Sequence, residues 1–155
     1  MKNKHEKPIV WDKLYSKSNI KDIVQSAKYG LDNVQIIKSY YPWLNLLIKN
    51  KLKFKRSLEV GSGTGSYSLI LKKLGIVEEV YLLDYSAESL KIAEANFKAH
   101  GVNGKFIQGN ALDLPFKDNY FDLTISGGLL EHFSESDAIK IVKEKARVSK
   151  YILTQ

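Results

Sequence analysis

The residues with the clearest chemical capacity are Ser57-Leu-Glu-Val-Gly-Ser-Gly-Thr-Gly-Ser66, where a short apolar run ends in three alternating glycines. Glycine reaches backbone dihedrals that other residues avoid and carries no side chain. Gly61, Gly63 and Gly65 would therefore let a ligand approach the main chain and the N-terminus of a following helix. Two well-known ligand classes fit this loop poorly. A triphosphate loop needs Lys-Ser or Lys-Thr after its last glycine, and Ser66-Tyr67 stands there instead. The dinucleotide fingerprint G-x-G-x-x-G would place its third small residue at Ser66. A loop that merely turns the chain is the remaining alternative, and three glycines in register directly after a strand speak against it.

The elements that must position this loop follow from periodicity. Candidate strands are Ser57 to Val60, Val80 to Asp84, Lys105 to Gln108, Phe121 to Ser126 and Tyr151 to Thr154. Helical segments lie between them. Leu69, Ile70 and Leu74 share a face that stops at Gly75, Ser86 can cap a helix bearing Leu90, Ala93 and Phe97, and Ser134 with Asp137 resembles a capping box ahead of Ala138, Ile141 and Val142. Asp113 and Asp122 read as structural turn residues. Strands alternating with helices imply a parallel sheet covered on both faces, because parallel neighbours need a crossover. Upstream, residues 9 to 50 carry helical spacing (Ile20, Ile23, Val24, Ala27, then Val34, Ile37) broken near Gly30 and Pro42. The division is residues 1–56 as a helical, basic segment packing on a core of 57–155, one domain overall.

Composition sets the outer bounds. The 155 residues are 44% apolar and 26% charged, which suits one globular domain, and the absence of cysteine excludes disulfides, thiolate metal sites and thiol catalysis. His5 and His100 have no partner at metal-ligand spacing, so no metal is expected. Neither a membrane-length apolar run nor a secretion signal is visible, and a cytoplasmic location is the expectation. The net charge of +7 is uneven: residues 1–56 hold 13 basic and 4 acidic residues, residues 57–155 hold 11 and 13. The run Lys49-Asn-Lys-Leu-Lys-Phe-Lys-Arg56 reads as a solvated connector into the first strand, with a patch for nucleic acid or anionic lipid as the alternative.

The G-x-G-x-G spacing preceded by Glu59 resembles the first motif of the class I S-adenosylmethionine-dependent methyltransferases, and other segments match that family in order. Tyr81-Leu-Leu-Asp84 resembles its second strand, Gly109-Asn-Ala-Leu-Asp-Leu-Pro-Phe116 its G-D-A-x-x-L-P-F segment, Asp118 to Ser126 its fourth strand, and Gly127-Gly-Leu-Leu-Glu-His-Phe133 the L-E-H segment after it. The resemblance implies a Rossmann-like αβα sandwich with strand order 3-2-1-4-5, N-terminal helices, and S-adenosylmethionine as cofactor. It also implies roles. Glu59, Gly61, Ser62, Gly63 and Gly65 would hold the methionine part, and Asp84 with Tyr85 the ribose, a carboxylate there accepting from both hydroxyls of a cis-diol. Asn110 and Ala111 would meet the adenine, Asn110 replacing the usual Asp. Ser126 and Gly127 would line the cofactor face, and Tyr15 of Trp11-Asp-Lys-Leu-Tyr15 would close over the methionine end.

Alternatives stand beside several of these roles. Glu59 can instead be a charge at a strand end held by backbone amides, and Asp84 a helix cap before Ser86. His132 is the candidate general base, since an imidazole exchanges protons near neutral pH; simple packing of His132 and Glu131 in a substrate loop is the alternative. The function expected is methyl transfer to a small-molecule acceptor. A second expectation arises because the family's usual sheet has seven strands and this sequence reaches Gln155 after the fifth. On that reading the chain is a cofactor-binding but inactive or incomplete domain, joined to a second copy or a partner chain through an exposed fifth strand. A nucleic-acid methyltransferase is disfavoured, because no N-P-P-Y-type segment follows the fourth strand.

Overall fold

Residues 42–155 are described by the computed structural model of the chain. Tyr15 and the expected helices before Pro42 lie outside the described residues. The elements are α1 (Pro42–Lys49), β1 (Phe54–Val60), α2 (Ser66–Lys73), β2 (Val77–Asp84), α3 (Ala87–Ala99), β3 (Lys105–Gln108), β4 (Phe121–Ser126), α4 (Glu135–Val148) and β5 (Ser149–Thr154), with a 3-10 turn at Leu130–His132. Five strands form one sheet in the order β3-β2-β1-β4-β5, and every neighbouring pair is parallel. This is the order that the resemblance implied. Strand order reverses between β1 and β4, so the crevice outside their carboxyl ends is where such a sheet takes a ligand.

Alternation along the strands builds two cores. Leu82, Leu123 and Ile125 point to one face, where Leu44 and Leu47 of α1, Leu69 to Leu71 of α2, and Ala93 and Phe97 of α3 cover them. Leu58, Val60, Tyr81 and Leu83 point to the other, beneath Ile141 and Val148 of α4. Each fully buried aliphatic side chain contributes roughly 1.5–3 kcal/mol.

Local signals explain most boundaries. The Ser86 hydroxyl accepts the Ser89 N–H and starts α3, and the Ser134 hydroxyl accepts the Asp137 N–H and starts α4. In α4 the buried residues are Ile141, Lys145 and Val148, whereas Val142, expected on that face, is 37% exposed. A lysine in the buried stripe rotates the helix away from the apolar reading of Ala138, Ile141 and Val142.

Three strands begin earlier than the alternation suggested. β1 starts at Phe54, so Phe54 to Arg56 are strand and the solvated connector is shorter than Lys49 to Arg56. Phe54 itself is buried in the first core. Asp122, expected in a turn, lies within β4, and its carboxylate accepts the N–H groups of Lys55 and Arg56 at 2.8 and 2.9 Å. Those amides precede the β1–β4 ladder, which opens at Ser57 and Leu123, so the carboxylate satisfies donors the ladder does not reach.

Candidate functional site

The carboxyl end of β1 runs straight into the glycine loop, and the loop's shape requires its glycines. Gly61, Gly63 and Gly65 have φ of 66°, 51° and 75°, the left-handed region. A Cβ on Gly65 would lie 2.6 Å from Leu82 and 3.2 Å from Ala93, and one on Gly61 would lie 2.6 Å from Leu129. The Gly61 and Ser62 N–H groups both donate to the Leu83 carbonyl, and the Gly65 N–H donates to the Ser62 carbonyl, closing the turn.

Two carboxylates flank this loop. Glu59, 2% exposed, accepts the Ser68 N–H at 2.7 Å and so caps α2 (Ser66–Lys73), whose own cap residue, Gly65, has no side chain to do so. Burial raises its carboxyl to about 7, against the opposing pull of the Ser68 and Tyr67 amides, and Asp84 adds repulsion. Asp84 accepts the Gly63 N–H at 2.8 Å on one oxygen and the Ser86 N–H at 2.9 Å on the other. Both alternatives raised for these acids are thus present in the geometry: each is held by backbone amides, Glu59 at a helix start and Asp84 beside Ser86. Asp84 is half-buried, and each carboxylate oxygen keeps lone-pair capacity beyond the one bond described.

The other candidates gather at the same end of the sheet. Tyr85 is 52% exposed just after β2, and its carbonyl accepts from the Gln108 side chain. Asn110 is exposed, with its side-chain oxygen accepting the Leu112 N–H at 2.9 Å in a turn that also bridges Asp113. The Ala111 methyl is buried in the second core, leaving its backbone as the part able to meet a ligand. Ser126 is fully buried, its hydroxyl accepting from Lys145 and its carbonyl from the Gln155 N–H, so of the expected pair Ser126 and Gly127 it is Gly127 that is left partly open at this end of the sheet. After β4, a Cβ on Gly127 would fall 2.0 Å from the Tyr67 hydroxyl, and one on Gly128 would fall 3.5 Å from a Glu131 carboxylate oxygen. His132 is exposed in the 3-10 turn that follows. No group of His, Cys, Asp and Glu suited to a metal ion occurs among the described residues.

Tyr67, Leu129 and Lys145 were not singled out from the sequence. Tyr67 stacks on Trp43 at 5.8 Å, and Trp43 donates to the Gln155 side chain. Lys145 had a signal, since its spacing from Ile141 and Val148 puts it on their face.

A nucleoside bearing a cationic amino-acid tail fits this end of the sheet. The side-chain-free loop leaves room for close approach, Asp84 supplies negative charge to which Glu59 adds as it ionises near pH 7, and the Ser62 hydroxyl in the loop is buried with no hydrogen-bond partner. Together the parallel 3-2-1-4-5 sheet and this acid-flanked loop fit a Rossmann-like methyltransferase domain, the class whose cofactor is S-adenosylmethionine. The chain belongs to the methyltransferase domain family, whose model matches residues 58–151. It is 38% identical over 131 residues to a demethylmenaquinone methyltransferase of Geobacillus kaustophilus, covering 81% of this chain and 55% of that protein. The chain thus spans about half the length of the curated relatives it matches. Among solved structures, a Pyrococcus horikoshii protein aligns with a TM-score of 0.65 and 29% identity, over 78% of this chain and 58% of that one. An S-adenosylmethionine-dependent methyltransferase of Clostridium acetobutylicum shares the fold, with a TM-score of 0.61 and 22% identity over 71% of this chain and 46% of that one.

Proposed function

We propose that the chain transfers a methyl group from S-adenosylmethionine to a small-molecule acceptor, and that the acceptor is a quinone-type ring. The observation that carries the first part is the pair Glu59 and Asp84 flanking three left-handed glycines at adjacent strand ends. The relatives named demethylmenaquinone methyltransferase support the second. When bound, S-adenosylmethionine supplies a methyl group already activated by the sulfonium charge, so the protein's own share is alignment and exclusion of water. Glu59, Gly61, Ser62, Gly63 and Gly65 are assigned to the methionine end, Asp84 and Tyr85 to the ribose, Asn110 and the Ala111 main chain to the adenine. The turn from Ser126 to Gly127 is assigned to the floor beneath the methyl group. His132 is assigned as the base if the acceptor must lose a proton.

Titration calorimetry with S-adenosylhomocysteine tests the cofactor half, where absence of heat at submillimolar ligand rejects it. Formation of methylated product from demethylmenaquinone tests the acceptor half. A cytoplasmic location goes with this reading; among the described residues no helix is long and apolar enough to cross a membrane.

Among the described residues β5 lies at the edge of the sheet, which favours a second element of the reading, association through that strand. Tyr151 and Ile152 on it are 51% and 40% exposed, an apolar edge that another strand could extend. Light scattering on purified chain decides between a dimer and a monomer.

A further inference from the structure

Lys145 is an ionisable group with no part in the site described above. It is 0% exposed, and its ammonium donates to the Ser126 hydroxyl at 2.7 Å, the Thr154 hydroxyl at 2.7 Å and the Leu153 carbonyl at 3.1 Å. Three donors thus meet three acceptors, and no carboxylate pairs with the charge among the described residues. Hydroxyls continue away from it on the same side of the sheet: Thr124 bonds Ser149 at 2.9 Å, and Ser149 donates to the Lys145 carbonyl at 2.8 Å.

From this geometry we infer that Lys145 is a positioning residue for the cofactor-facing turn at Ser126 to Gly128, tying the carboxyl ends of β4 and β5 together from beneath. The backbone joins the same two strand ends within the sheet. The Gln155 N–H donates to the Ser126 carbonyl at 3.0 Å, and the Gly128 N–H donates to the Gln155 carbonyl at 3.1 Å. Lys145 bonds Ser126 on one side of this stitch and Leu153 with Thr154 on the other. The turn it steadies presents Gly127 to Tyr67 and Gly128 to Glu131. Its position in the apolar stripe with Ile141 and Val148 would accept a hydrocarbon of the same length. A buried cation lacking a counter-ion costs stability there, and burial lowers its pKa to about 8. Deprotonation would remove one of the three donors and loosen the stitch. Around the ammonium, β4 and β5 contribute only hydroxyls and a carbonyl, and the nearest charged neighbour in sequence, Glu144, is engaged with Arg147.

The inference rests on the methyl-transfer reading only in that the turn faces the cofactor. The test uses the 155-residue chain, Lys145→Met and Thr154→Val, with S-adenosylhomocysteine calorimetry at pH 7 and 9.5 and amide exchange at Gly128 and Gln155. The expected result is about tenfold weaker binding by Lys145→Met at pH 7, a ratio to wild type that shrinks toward one at pH 9.5, and faster exchange at both amides. Thr154→Val, altered at an exposed position, gives the same changes at smaller size and stands in if Lys145→Met does not fold. Equal binding at pH 7 together with unchanged exchange overturns the inference. Wild type that binds nothing rejects the functional reading, and the exchange data then decide the positioning role by themselves.

Discussion

Two ends of neighbouring strands bury an ionisable group each, and they hold it in opposite ways. At the end of β1, Glu59 is an acid held by the amides that open α2; near the ends of β4 and β5, Lys145 is a base held by hydroxyls and a carbonyl. Burial pushes both toward their neutral forms, raising the acid to about 7 and lowering the base to about 8. Glu59 meets the fixed partial charge of a helix N-terminus, whereas Lys145 meets groups that could find other partners. The buried acid is held by backbone amides, whereas the buried base is held mainly by side-chain hydroxyls. Substitutions should therefore be less tolerated at the glycine loop than at the β4–β5 end.

The largest effect is expected from Gly65→Val, which places a branched side chain at φ 75° against Leu82 and Ala93. Urea unfolding should show a loss of about 3 kcal/mol or more. A milder change would mean the loop shifts as a unit and the contrast between the two ends is overstated. Next comes the pH dependence of Glu59. Its folded-state pKa lies above the unfolded value, so the folded state holds the extra proton between about 4.5 and 7. That contribution is fully present below 4.5 and is lost as pH rises through 7, on the order of 3 kcal/mol. Denaturation midpoints of wild type and Glu59→Gln across this window should diverge accordingly, the variant being the flatter.

Lys145 runs with the opposite sign. Its folded-state pKa lies below the unfolded value, so the penalty of burying the charge is fully present below about 8. Stability should rise between about 8 and 10.5 in wild type and stay level in Lys145→Met. Asp84→Asn should weaken S-adenosylhomocysteine about tenfold by calorimetry, because a charged acceptor is replaced where two backbone donors and a ribose diol converge. The smallest change is Asn110→Asp, expected to tighten the same ligand about threefold. A carboxylate still accepts the Leu112 N–H, and it would be a stronger acceptor for the adenine amine.

The same contrast governs what could be read from the sequence. Backbone-defined features were legible: three glycines after an apolar run, an acid two residues before them, Ser86 and Ser134 at helix starts, and alternating strands giving a parallel sheet. Strand starts were less so, because Lys55 and Arg56 interrupt the apolar pattern and only the Asp122 carboxylate shows why their amides are strand-like. The orientation of Ser126 was not legible, since its hydroxyl turns to a partner nineteen residues away. The roles of Tyr67 and Leu129 depend on volumes left by Gly127 and Gly61, which no spacing along the chain encodes. Lys145 sat in plain view at helical spacing, but charge alone places a lysine on the surface by default.

At Gly127 the hydroxyl of Tyr67 occupies the space any other residue's Cβ would take. The two positions therefore cannot drift independently. A larger residue at 127 requires the Tyr67 side chain to move or to be smaller, so Gly127→Ala alone should cost more stability than Gly127→Ala with Tyr67→Leu. Positions sixty residues apart thus behave as one unit of inheritance, and enlarging the pocket floor in a laboratory variant has to begin on α2.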